Sequence, residues 1–194
     1  MIRGRSRLMA ALAVVLSIDY TAHGSDDVPD VHVEIIDYSR AGWILVAARR
    51  EVTRIYEEAG IRLLMTTTTR PHLMVPDAVQ IVMLSGPMSE HMRVTYRLPR
   101  KVLGQAVIPA RRVYIFFDRV VEESMGENHV VALGRVIAHE LGHVLTGEPG
   151  HSRDGIMRAG LDLDAPLSPP LLAEQAQAIR DRLLATRRLA RVVE

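Results

Sequence analysis

The chain contains no cysteine. Disulfides are therefore excluded, and so is lipid attachment at an N-terminal cysteine, which leaves core packing and any bound metal to hold the fold together. An excess of charge of one sign is also missing. The net charge of +1 leaves no electrostatic footprint for nucleic acid or an anionic membrane. Repeats and low-complexity tracts are absent. No apolar run reaches the roughly 20 residues needed to span a bilayer; the nearest, Leu8 to Ile18, stops at Asp19. What remains is a 194-residue chain with 48% hydrophobic residues, enough to bury the core of one domain.

The N-terminus has a different grammar from the rest. Arg3, Arg5 and Arg7 precede the apolar run, and small and polar residues from Ala22 to Asp27 follow it. That order reads as a secretory signal peptide over residues 1–24, cleaved after Gly24, with a single mature domain occupying 25–194. Cleavage removes three arginines and Asp19 and turns the net charge of +1 into −1. The expectation is a secreted or periplasmic protein with no stable membrane anchor after cleavage.

Beyond the leader, Val31 to Asp37 reads as a strand rich in β-branched residues. Ser39 is placed to cap a helix reaching about Ala59, with apolar positions Leu45, Ala48, Val52, Ile55 and Tyr56 at helical spacing and Gly60 ending it. Ile61 to Met65 follows as a strand, so a parallel pair joined by a crossover helix is expected. Thr66 to Pro76 reads as a loop, Ala78 to Leu84 as a third strand, and Ser85 to Lys101 as a long surface excursion. Val102–Ile108 and Arg112–Phe117 are expected to form a hairpin around Pro109-Ala110-Arg111, with Asp118-Arg119 at the strand end. A helix from about Asn128 ends at Gly147, and a last helix opens at Ser168-Pro169-Pro170 with the serine as its cap. The sum is an α/β (α+β) single domain: a small mixed twisted sheet, a crossover helix, a histidine-bearing helix and a C-terminal helix.

The chemistry is concentrated in His139-Glu140-Leu141-Gly142-His143, with His151 and Gly155-Ile156-Met157 beyond it. On a helix, residues four apart share a face about 6 Å apart, so both imidazoles can reach one zinc at about 2.0–2.1 Å. Glu140 lies one step round the helix, where a carboxylate can take a proton from an activated water and pass it to a leaving amine. A catalytic zinc needs a third protein ligand and one open position. His151 and Glu174 compete. Gly147, Pro149 and Gly150 let the chain turn back towards the metal, whereas Glu174 points away from the apolar face set by Leu172, Ala176, Ile179 and Leu183. His151 is the better candidate. His23, His32, His72, His91 and His129 stand alone, and the arginines at 180, 182, 187, 188 and 191 read as a solvated helix face. Gly134 and Gly142 each cost the helix about 1 kcal/mol relative to alanine, which close approach of the sheet or of the segment carrying Met157 would explain.

Together these residues resemble the metzincin clan of zinc endopeptidases. The resemblance implies that His139, His143 and His151 hold Zn²⁺, that Glu140 is the general base, and that Met157 forms a methionine turn beneath the metal, with Gly147 supporting the turn that precedes His151. It also implies that an exposed strand within 102–117 takes substrate by strand addition. The spacing departs from the common metzincin pattern: Gly147 and His151 follow His143 by four and eight residues, where three and six are usual, and Thr146 and Pro149 occupy the usual places. In this the segment is similar to uncharacterised bacterial metzincin-like proteins with a longer loop. No tyrosine follows Met157 to serve as a phenolic oxyanion stabiliser; Arg158 is the substitute candidate, against an ordinary surface role. The expected function is an exported zinc metallopeptidase acting on a peptide or protein substrate, with no nucleic acid partner. The rival readings are a non-catalytic domain stapled by zinc and a zinc hydrolase of a non-peptide amide.

Overall fold

The computed structural model describes residues 28–69, 77–124, 128–165 and 167–193, the stretch 187–193 by its backbone alone. The expected leader and His72 lie outside the described residues. Five strands, β1 (Asp30–Asp37), β2 (Arg62–Thr68), β3 (Val79–Leu84), β4 (Gly104–Val107) and β5 (Arg112–Phe116), form one sheet in the order β2-β1-β3-β5-β4. β2, β1, β3 and β5 run parallel, while β4 lies antiparallel to β5 at the edge, with Gly104 opposite Ile115 and Ala106 opposite Val113. Among the described residues five α-helices accompany the sheet: α1 (Trp43–Glu58), α2 (Gly86–Tyr96), α3 (Phe117–Glu123), α4 (His129–Thr146) and α5 (Ala173–Val193). No helix among the described residues is long and apolar enough to cross a membrane.

Side-chain alternation along the strands makes two layers. Val31, Val33 and Ile35 of β1, Val79, Ile81 and Met83 of β3, and Val113 and Ile115 of β5 pack on α1 and α4 in the main core. The reverse face carries Val82, Leu84 and Phe116, against which Met92 of α2 packs. Because both faces are covered, every residue of β3 is buried, and the strand reads as a continuous apolar run broken only by Gln80. α5 closes the far side of α4 through Ala176 and Ile179, leaving Glu174 exposed as its helical angle requires. The mixed α/β class, the crossover helix, the β4–β5 hairpin and the end of α4 at Gly147 all match the expectation.

Several local expectations fail. Ser39 does not cap α1; it donates its hydroxyl to Asp37 (2.7 Å) and accepts the Ala41 N–H, and Gly42 stands at the cap with φ 56. β2 continues to Thr68, because the β-branched threonines 66–68 extend its pairing with Glu34, Ile35 and Ile36. The supposed surface excursion contains α2, started by Pro87 in the first turn, where its missing N–H costs nothing, and ended at Arg97 in the left-handed region. Its period is blurred because Val94 and Tyr96 face solvent. Asp118 and Arg119 belong to the short helix α3, and Arg119 is buried, donating to the Arg100 carbonyl. Ser168 caps no helix either: its hydroxyl accepts from the Arg135 guanidinium, and α5 begins five residues later, at Ala173.

Candidate metal centre and active site

α4 is the axis of the site. Its C-terminal half is buried through Leu145, and His139 and His143 sit one turn apart on it, 7% and 6% exposed. The helix ends when Gly147 adopts φ 76 and donates its N–H to the His143 carbonyl, a left-handed stop that favours glycine. The chain then turns through Glu148, Pro149 and Gly150 and brings His151 back across the helix end. The three imidazoles form a near-equilateral triangle, with ring centroids 4.8, 5.2 and 4.9 Å apart. One ligand atom from each lies within 4.8 Å of the others. The two extra residues in the loop are therefore absorbed by the turn.

Hydrogen bonding fixes which nitrogen each buried ring presents. His139 Nδ1 is 2.8 Å from the Ile156 carbonyl, and His143 Nδ1 is 2.8 Å from the Glu148 carbonyl. A carbonyl only accepts, so both Nδ1 atoms carry the proton and both Nε2 atoms carry a lone pair. Those Nε2 atoms face each other at 3.2 Å. Two lone pairs at that separation repel, unless a cation lies between them. Tetrahedral zinc with Zn–N of about 2.0–2.1 Å places its nitrogens about 3.3–3.4 Å apart, so the pair fits the ion. Burial pushes His139 down from 6.5 to about 4, against the pull of the Ile156 carbonyl, and it lowers His143 in the same way. Both rings are thus held neutral, the state a metal requires.

Beneath the rings, the backbone N–H of Ser152 pairs with the Met157 carbonyl, and that of Ile156 with the Pro170 carbonyl. Met157 is buried against α4, where a Cβ on Gly142 would lie 2.2 Å from its sulfur. The Tyr56 hydroxyl reaches the same turn and donates to the Ala138 carbonyl at 2.9 Å. The close approach expected at Gly142 is therefore the methionine segment. At Gly134 it is neither that segment nor the sheet but α1, whose Glu51 Cβ and Ala48 carbonyl would meet a Cβ at 2.8 and 3.2 Å.

Glu140 is 9% exposed and faces β4. Burial raises its carboxyl from 4.5 to about 7, partly opposed by the Ala106 backbone N–H that donates to it. Gly104 leaves it room, since a Cβ there would stand 2.5 Å from Glu140 Cγ. A cleft of about 760 Å³ opens here, lined by His139, Glu140, His143 and His151, by β4 and by Leu161–Asp164. Larger still is a hollow of about 880 Å³ between α1 and β2, but it contains none of these groups.

Arg158 is exposed, as an ordinary surface arginine would be. His32 and His91 are exposed and outside the cluster. His129 Nδ1 meets the Ser124 hydroxyl at 2.7 Å. That hydroxyl donates to the Val120 carbonyl, so the pair is a staple rather than an activated nucleophile. Arg180 donates to the Ala59 carbonyl at the end of α1, and the Arg182 guanidinium lies over Gly147 at the end of α4. Cations at helix C-termini are stabilising, so these two are more than solvated charge. Sequence reasoning missed Gly104, whose only signal is a glycine inside a predicted strand, and Arg135, a charge on a helix otherwise read for its apolar face.

No family model matches the chain, and no curated protein matches its sequence. Its structure is similar to the crystal structure of archaemetzincin from Methanopyrus kandleri, with a TM-score of 0.54 and 14% sequence identity, over 84% of this chain and 99% of that one. At that identity the likeness is one of fold: a mixed α/β domain that shares its architecture with archaemetzincin and groups three histidines able to bind a metal.

Proposed function

We propose that this protein is a zinc-dependent metallopeptidase in which His139, His143 and His151 hold the ion and Glu140 is the general base. The observation that carries the reading is the triangle of imidazoles with opposed Nε2 lone pairs beside a buried carboxylate, all opening on one cleft. The archaemetzincin fold supports it. Zinc, when bound, supplies Lewis acidity that polarises a carbonyl and makes water a nucleophile near neutral pH. Glu140, with its carboxyl near 7, accepts the proton of the attacking water and delivers it to the leaving amine. A bound cation at the three histidines would favour the ionised form of Glu140, the form that accepts a proton. β4 offers its outer edge to an extended peptide. The Leu103 carbonyl pairs inward with Phe116 and the Ala106 N–H reaches Glu140, so Gly104 and Ala106 point their backbone groups into the cleft.

Export through a leader at 1–24 belongs to the same proposal, supported by the order of charged, apolar and small residues there. The rivals, a zinc staple without catalysis and a hydrolase of other amides, differ in what they cleave. A quenched peptide library incubated with purified protein, with and without chelator, separates them. Chelator-sensitive cleavage supports the peptidase, and no cleavage by zinc-loaded protein sinks it. Gly104→Ala provides an internal control. The new methyl displaces the Glu140 side chain, so kcat is expected to fall at least about tenfold with zinc content unchanged. Unaltered turnover would mean that Glu140 does not work from this position.

A further inference from the structure

Arg135 lies one turn before His139 on α4 and is wholly buried, at 0% exposure. Nothing in the metal centre uses it. Its guanidinium is spent on a single neighbouring segment. Nε donates to the Ser168 hydroxyl at 2.9 Å, one terminal nitrogen donates to the carbonyls of Asp162 and Leu163 at 2.8 and 2.9 Å, and the other donates to the Ala165 carbonyl. A planar fork with donors in fixed directions matches this set of acceptors, which a lysine ammonium cannot serve together. Three of the four acceptors are backbone carbonyls. The contacts therefore fix the path of the segment rather than the identity of its side chains.

The network continues behind Arg135. Ser168 also hydrogen-bonds the Glu51 carboxylate, and Glu51 is paired with Arg54 on α1. Glu51 reaches this position because Gly134 has no side chain to meet it. A buried guanidinium is costly unless its donors are satisfied and its charge is answered, and here both conditions hold. The expense is informative, because an apolar residue at 135 would pack the same helix face without it. The serine expected to cap the last helix is instead a member of this network.

The segment so held is part of the cleft wall. Leu161, Asp162, Leu163 and Asp164 line it together with Val136, the residue after Arg135, and with His139 and Glu140. We propose that Arg135 is a positioning residue for substrate: by clamping residues 162–165 to α4 it sets the width of the cleft and so the fit of an apolar substrate side chain beside Val136, Leu161 and Leu163. The inference rests on the reading of this cleft as a peptidase site. It differs from a purely stabilising role in one respect, because it separates side-chain recognition from metal binding.

The test compares two probes on zinc-loaded protein: acetohydroxamate, which engages only the metal, and a hydroxamate carrying an isobutyl side chain. In Arg135→Lys the isobutyl hydroxamate is expected to weaken about tenfold while acetohydroxamate stays within about twofold, because loosened walls tax only the ligand that touches them. Ser168→Ala, which removes one acceptor and leaves α4 intact, should show the same split to a smaller degree. Amide exchange should accelerate across 161–168 in both variants and stay unchanged across 139–146. Equal weakening of both probes, or of neither, overturns the inference. Wild-type protein that binds neither probe counts against the zinc-hydrolase reading instead. In that case exchange decides on Arg135 alone, and unchanged protection across 161–168 rejects it.

Discussion

Replacing Glu140 by glutamine is expected to lower peptide hydrolysis by about 10²–10⁴-fold, the usual worth of a general base, while zinc stays bound. Glutamine keeps the shape of the side chain and an oxygen for the Ala106 N–H, and position 140 is not one of the three candidate ligands. A second effect has the opposite sign. In the metal-free protein burial raises the Glu140 carboxyl from 4.5 to about 7. An acid whose pKa is higher folded than unfolded binds more protons in the folded state. Stability is therefore lost as pH rises from 4.5 through about 7, and the loss is complete above that range. A shift of this size is worth about 3 kcal/mol. Metal-free Glu140→Gln should thus be more stable than metal-free wild type at pH 8, and the advantage should vanish below pH 4.5.

His139 works in the other direction. Its folded pKa is depressed from 6.5 to about 4, so the unfolded state binds more protons and stability falls as pH drops through that window. In wild type the Glu140 effect offsets that of His139 between pH 4.5 and 6.5, leaving the acid loss from His143, which burial lowers too. In Glu140→Gln the acid losses from His139 and His143, both lowered by burial, stand without that offset. Denaturant unfolding of both chelated proteins at pH 8, 6 and 4.5 checks the whole pattern. Equal stability at pH 8 would show that Glu140 is not buried as described, and retained hydrolysis would remove it from catalysis. A residue that destabilises the empty fold while serving the reaction is the expected compromise of a working site.

Gly142→Ala is expected to damage the protein although alanine is the better helix former by about 1 kcal/mol. The added methyl would lie 2.2 Å from the Met157 sulfur and 3.5 Å from the Tyr56 hydroxyl. Met157 is 3% exposed, so it cannot swing into solvent. Overpacking of this kind costs about 1–3 kcal/mol, which outweighs the propensity gain and lowers Tm by several degrees. The larger consequence falls on the metal. Pushing Met157 moves Ile156, whose carbonyl holds His139 Nδ1, and loss of such a partner weakens metal binding about 10–100-fold. Adding Met157→Ala should restore part of the affinity, since it vacates the contested space. Zinc titration of the single and double variants reads this coupling. A Gly142→Ala protein with higher Tm and normal zinc affinity would refute the arrangement beneath the histidines.

Much of this site is legible in the residue order. Two imidazoles and a carboxylate on an apolar helix define a local geometry, because the helix repeat alone places His139 and His143 on one face. The preference for His151 over Glu174 follows from the same periodicity. α1 and α4 can be read because a buried face repeats at a fixed interval along the chain, and β3 because burial on both faces leaves a nearly unbroken apolar run. Where that interval is weak, the pattern misleads. α2 exposes Val94 and Tyr96, and Ser39 and Ser168 carry cap-like signals that are used elsewhere.

The sequence by itself determined the chemistry on offer: a helix bearing two histidines and a glutamate, a third histidine and a methionine just past its end, and enough apolar pattern for one α/β domain. Only the tertiary structure decided what faces that chemistry. It placed Gly104 against Glu140, made the methionine segment the reason for Gly142, and turned Arg135 from a helix charge into a buried clamp on the cleft wall. The physical reason is that burial leaves a periodic mark along the chain, whereas a hydrogen bond to a distant backbone carbonyl leaves none. Every residue carries that carbonyl, so its use can be known only once the chain has folded.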